Sequence, residues 1–106
     1  MLKFVTVLYR RPGLSPEEFR RHLRDVHGPL VERLPGLRRY IQNHAAPDPS
    51  RKHPGWDAVI EVWWDDFESM EASWRSPEGV ASDADLPLFL DLSRSTWSVV
   101  EEDVRK

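Results

Sequence analysis

The sequence predicts an α+β domain, four strands and two helical stretches in the order β-α-β-β-α-β, with the helices on one face of an antiparallel sheet. Three observations carry this. The chain opens and closes on β-branched and aromatic runs, "LKFVTVLYR" and "STWSVVEEDV". Two such runs sit together in its middle with a turn-rich loop between them. Two Ser-Pro-Glu triplets, Ser15-Pro16-Glu17 and Ser76-Pro77-Glu78, each start a helical pattern.

The elements follow in order. Leu2 to Arg10 reads as a strand and "RPG" stops it. Ser15 is a good N-cap, Pro16 fits the first helical position, and Glu18 can close a capping box back to Ser15. Apolar residues then recur at Phe19, Leu23, Val26, Leu30 and Leu34, with Arg20, Arg21, Arg24, Glu32 and Arg33 opposite. Gly28-Pro29 predicts a kink or a break in the helical ladder, and Leu34 to Gly36 ends the helix. Leu37 to His44 is the second strand, with Arg38, Tyr40, Gln42 and His44 on one face and Leu37, Arg39, Ile41 and Asn43 on the other. "AAPDPSRKHPG" is a loop. Trp56 to Trp64 is the third strand. Its Ala58, Ile60, Val62 and Trp64 are all apolar and are assigned to the core. Asp65 or Asp66 caps a short helix that turns Phe67, Met70 and Trp74 inward. The second Ser-Pro-Glu start opens another helix, irregular over Asp83 to Pro87. A last strand carries Trp97, Val99 and Glu101 on one face and Ser98, Val100 and Glu102 on the other. Two β-α-β halves of this kind make a ferredoxin-like layer. One sheet face is then left without helices, and apolar residues there, some tryptophans among them, predict a partner surface.

Composition narrows the function. At 106 residues the chain is expected to form one domain, residues 1–106. A net charge of -3 argues against nucleic acid or an anionic membrane as the main partner. The absence of cysteine excludes disulfides and thiol nucleophiles and fits a cytoplasmic location. The N-terminal apolar run is too short for a signal peptide, and no stretch approaches a membrane span. Five tryptophans point to a broad apolar surface, either core or ligand wall.

The residue that local patterning leaves unexplained is His27. It follows Leu23 by four and precedes Leu30 by three, which puts it on the buried stripe. It reads either as a core histidine bonded to carbonyls freed by Pro29 or as the polar centre of a pocket. Tyr40 is either part of a solvated strand face or a pocket residue. His22 borders the core, while His44 and His53 flank a loop and are expected to face solvent. His22 and His27 are five apart, which splays them on an α-helix, and no acidic residue completes a cluster with them, so no metal site is expected.

The segment "VLYRRPGLSPEEFRRHLRDVHGPLVERLPGLRRYIQN", followed by "FESMEASWRSPEGVASDADLPLFLD", resembles the EthD family of dimeric α+β barrel proteins, with "HGPL" and "LPGLRRY" its most specific pieces. The resemblance spans about Lys3 to Val104. It implies a homodimer whose two sheets form a barrel, and in each protomer a pocket between sheet and helices for a small hydrophobic or aromatic ligand. Related barrels include cofactor-free isomerases, polyketide cyclases and oxygenases. In the isomerase-like relatives a first-helix histidine and a second-strand tyrosine lie in that pocket, and His27 and Tyr40 fall on those positions. The expected site is therefore His27 and Tyr40 as catalytic groups, with His22, Gln42, Trp64 and Trp74 around the ligand, no cofactor, and proton-transfer chemistry in catabolism or secondary metabolism. The alternative is a non-catalytic accessory protein that carries a hydrophobic intermediate for an oxygenase system. A third reading is a scaffold whose only role is the dimer.

Overall fold

The computed structural model describes residues 1–106. Strand β1 (Leu2–Leu8) leads to helix α1 (Pro16–His22), a π-helical turn (Leu23–His27) and α2 (Gly28–Glu32). Strands β2 (Arg39–His44) and β3 (Ala58–Trp64) follow, then α3 (Phe67–Arg75), α4 (Pro77–Asp85), one 3-10 turn (Leu86–Leu88) and β4 (Thr96–Val100). The four strands form one antiparallel sheet in the order β2-β3-β1-β4. The architecture is the ferredoxin-like α+β layer that the element order predicts.

Local chemistry accounts for the boundaries. Ser15 Oγ accepts from the Glu18 N–H at 3.1 Å, and the Glu18 carboxylate accepts from the Ser15 N–H at 2.9 Å, so the capping box is complete. Asp66, rather than Asp65, caps α3 through the Ser69 N–H. Ser76 both ends α3 and caps α4, accepting from the Gly79 N–H. Asp65 is engaged instead by the Arg38 guanidinium through two bonds, at 3.0 and 2.8 Å.

The core lies between the sheet and the helices. Ala58, Ile60, Val62 and Trp64 of β3 meet Leu8 of β1, Phe19, Leu23, Val31 and Leu34 of the first helical stretch, Met70 of α3, and Phe89 and Leu90. Trp64 forms an aromatic cluster with Phe4 and Trp74, at centroid distances of 6.3 and 5.2 Å.

Three expectations are corrected. Phe67 is not turned inward; it is exposed on the first turn of α3. Val26 is also exposed, because the π turn spends one extra residue and rotates Val26 out of the apolar stripe. His44 does not face solvent; it is half-buried on the helix side of β2. Tryptophans do lie on the open sheet face, as expected: the exposed Trp56 lines a cleft there, and Trp63 is covered by the side chains of Lys3 and Arg39, whose cations sit 4.9 and 5.1 Å from its ring. Trp97 pairs with Thr6 and lies on the helix side, yet it is 67% exposed because the helices stop short of β4.

Candidate active site at the helix turn

The π turn decides where the histidines go. The Gly28 N–H bonds to the Leu23 carbonyl, a step of five residues rather than four. This winding brings positions five apart toward one face, so His22 and His27 do not splay. Both reach the carboxylate of Asp85, on the last turn of α4. His22 Nε2 lies 2.9 Å from Asp85 Oδ2 and 3.1 Å from Oδ1, and His27 Nδ1 lies 2.9 Å from Oδ2. The expectation that no acid joins them is overturned: Asp85 does, and the geometry is direct hydrogen bonding.

A carboxylate only accepts, so each ring nitrogen that faces Asp85 carries a hydrogen. His27 is then the Nδ1–H tautomer, with its Nε2 lone pair free, and His22 donates to Asp85 through its Nε2–H. His27 Nε2 has no hydrogen-bond partner and is not among the polar atoms sealed from solvent. Burial holds the His27 imidazole below its ordinary range, against the opposing pull of Asp85, which keeps the ring neutral near pH 7. Phe89 supports both rings from one side, at 4.6 Å from His22 and 4.9 Å from His27.

Asp85 was legible in one respect. Gly79, Ser82, Asp85 and Phe89 are spaced three, three and four, and all are buried, so the acid sits on the inward stripe of α4. What hides it is the small, polar character of that stripe, which resembles a solvated face.

A second network lies on β2. Gln42 Nε2 donates to the Leu23 carbonyl at 2.9 Å and to Tyr40 Oη at 2.6 Å, and His44 Nε2 lies 3.0 Å from Gln42 Oε1. Burial pushes the Tyr40 phenol up to about 12, so it keeps its proton. Burial first, then the cations of Arg20 and Arg24, hold His44 below its ordinary range. Tyr40 faces Val62 of β3, with Ile60 and Trp64 as diagonal neighbours on the same side. Trp64 is fully buried, with its indole N–H unpartnered, and Trp74 is half-buried beside it. Among the expected site residues, the structure thus joins His22 to His27 through Asp85 and Tyr40 to Gln42. Trp64 and Trp74 belong to the aromatic cluster at the C-terminal end of β3, where Trp64 is diagonal to Tyr40. A cleft of about 410 Å³ opens on the other sheet face, lined by Val5, Asn43, His44, Trp56, Val59 and Glu61, none of them an expected site residue.

The EthD domain model matches residues 11–93 of this chain, a span that holds both networks. The chain belongs to the EthD family. It is 28% identical to an EthD family protein from Bacillus halodurans, covering 97% of this chain and 100% of that one with a TM-score of 0.80. A dimeric ferredoxin-like protein of unknown function from Thermobifida fusca is 13% identical, with 95% and 90% of the two chains covered and a TM-score of 0.72. SnoaB from Streptomyces nogalater, a cofactor-independent oxygenase whose structure is that of a point mutant, is 14% identical over 99% and 97% of the chains, with a TM-score of 0.66. A search of curated protein sequences finds no match. The EthD match and the architecture agree with the fold that the resemblance implies. No helix is long and apolar enough to cross a membrane.

Proposed function

We propose that this EthD protein binds and transforms a small apolar or aromatic metabolite, with His27 as the proton-transferring group and Tyr40 as the donor to the oxygen on which charge develops. The observation that carries this reading is the buried Asp85 carboxylate on His27 Nδ1. It fixes the ring and its tautomer, and leaves a neutral imidazole whose Nε2 lone pair is unused. In such a site Nε2 takes a proton from the carbon beside a carbonyl, and the electron pair moves onto the carbonyl oxygen. The neutral Tyr40 hydroxyl then donates a hydrogen bond to that oxygen. Returning the proton to a different carbon gives an isomerisation. Expelling hydroxide from the neighbouring carbon, protonated as it leaves, gives a dehydration. Attack by the carbanion on a second carbonyl of the same molecule gives a cyclisation. Capture by dioxygen gives cofactor-free oxygenation, the class named for SnoaB.

The protomer works in this reading as a homodimer. The sheet face without helices carries Val5, Val7, Ile41, Val59 and Val100, and the match from Thermobifida fusca is described as dimeric. Light scattering at micromolar protein is expected to give a dimer mass, and a monomer overturns this part.

Native mass spectrometry of freshly purified protein searches for the small molecule carried with it. With that compound, His27→Ala is expected to abolish turnover and to retain binding. Turnover at the wild-type rate in His27→Ala overturns the catalytic role. Binding without turnover in the wild-type protein turns the reading to the carrier alternative.

A further inference from the structure

Gln42 spends every polar contact it has inside the protein. Its Nε2 donates to the Leu23 carbonyl and to Tyr40 Oη, and its Oε1 accepts from His44. The Leu23 carbonyl can only accept, so the amide nitrogen must face it, and this fixes which way round the amide sits. The second N–H then points at Tyr40. Tyr40 Oη is therefore the acceptor in that 2.6 Å contact, and its own hydrogen goes elsewhere. No other hydrogen bond is made by that hydroxyl.

The helix side of this arrangement explains a glycine. Gly28 has φ -51 and ψ -52, a helical conformation that any residue adopts. What it lacks is room. A Cβ there would stand 3.1 Å from Gln42 Nε2 and 3.2 Å from the Leu23 carbonyl oxygen. Both atoms are partners in the clamp. The π turn presents the Leu23 carbonyl, Gly28 leaves the approach open, and the Gln42 amide enters.

We propose that Gln42 is a positioning residue that holds Tyr40 as an obligatory hydrogen-bond donor toward the ligand, and that Gly28 is kept small to admit the Gln42 amide. This rests on the reading above that a ligand sits at Tyr40, and it narrows the ligand class. The ligand presents an acceptor oxygen to Tyr40, such as a carbonyl, an enolate or a phenolate. A ligand hydroxyl that must donate at that point is disfavoured, because two hydrogens would then face each other.

The test reads the Tyr40 phenol in ligand-free protein, so it can fail independently of any turnover measurement. In a Tyr9→Phe background, tyrosine is replaced biosynthetically by a fluorinated analogue whose phenol ionises near neutral pH, and ionisation is followed by absorbance. Gln42→Met removes the donor to Oη and is expected to raise the midpoint by about half a unit to one unit, the scale of one neutral hydrogen bond. Gln42→Glu is expected to raise it further, since a carboxylate there disfavours the phenolate. Gly28→Ala displaces the amide and is expected to shift the midpoint in the same direction as Gln42→Met. Circular dichroism and tryptophan emission establish that each variant is folded. If Gln42→Met does not fold, Gly28→Ala and Gln42→Glu carry the test. Midpoints equal to the parent's in the folded variants overturn the proposal.

Discussion

Replacing Asp85 by alanine is expected to destabilise the protein by about 2 kcal/mol. Three contributions set the size. His27 is buried, with its side chain 9% exposed, so losing Asp85 leaves its Nδ1 without a partner in either tautomer. A stranded buried donor or acceptor costs about 1–3 kcal/mol. The His22 side chain is 22% exposed, so its N–H is rehydrated and adds little. Removing a buried carboxylate also relieves that group's own desolvation, which holds the total near the middle of the range. For a chain of this length, about 2 kcal/mol lowers the melting temperature by about 9 °C. Asp85→Asn keeps one acceptor oxygen and is expected to cost about half as much. The assay is urea or thermal unfolding followed by tryptophan emission at pH 8 and at one fixed protein concentration, since a dimer's stability depends on concentration. If Asp85→Ala falls within about 0.5 kcal/mol of the parent, as an ordinary surface substitution does, the two histidines do not depend on Asp85 and the site is wrongly built.

Other outcomes follow from the same contacts. His27 has its folded-state pKa lowered by burial, so below the unfolded value of about 6.5 the unfolded chain binds more protons than the folded one. Stability is therefore expected to fall as pH drops from about 6.5 through the folded value, and His27→Gln should flatten that slope in urea titrations. An unchanged slope would assign the pH dependence to another group. At Gly79 an added Cβ would lie 2.4–2.6 Å from backbone atoms of Ser73 and Trp74, which cannot move aside, so Gly79→Ala is expected to cost about 3 kcal/mol or more. A near-neutral result in thermal unfolding would show that the corner between α3 and α4 is looser than described. Phe89→Leu keeps most of the buried volume but removes the ring that both histidines and Phe19 stack on, and should cost about 1–2 kcal/mol in the same assay.

The legible parts of this chain are those set by neighbours in sequence. Ser15, Pro16 and Glu18 start a helix within four residues, and the alternation of β3 sorts Ala58, Ile60, Val62 and Trp64 to the core without reference to the rest of the fold. The π turn is different. Gly28-Pro29 signals a disturbance, but the turn's Leu23 carbonyl also accepts from Gln42, 19 residues away, a contact that no local spacing shows. An ideal α-helix places Val26 inward and separates His22 from His27, and both expectations fail at the π turn. Asp85 lies 58 residues from His27, and no local spacing connects them. Tyr40, Gln42 and His44 do share the face that alternation gives them. What alternation could not show is that Gln42 is occupied by the protein itself and that His44 is drawn in with it.

The proposed chemistry turns on one proton. If Asp85 prepares His27 for chemistry, the imidazole hydrogen sits on Nδ1 and the Nε2 lone pair is free. Long-range nitrogen–proton NMR on uniformly labelled protein at pH 7.5 reads the tautomer of each of the four histidines, with His27→Gln and Asp85→Ala assigning the signals. The Nδ1–H form is expected for His27 in the parent protein, and its loss in Asp85→Ala. A hydrogen on Nε2 of His27 in the parent would contradict it, because that ring would then present no base to a ligand.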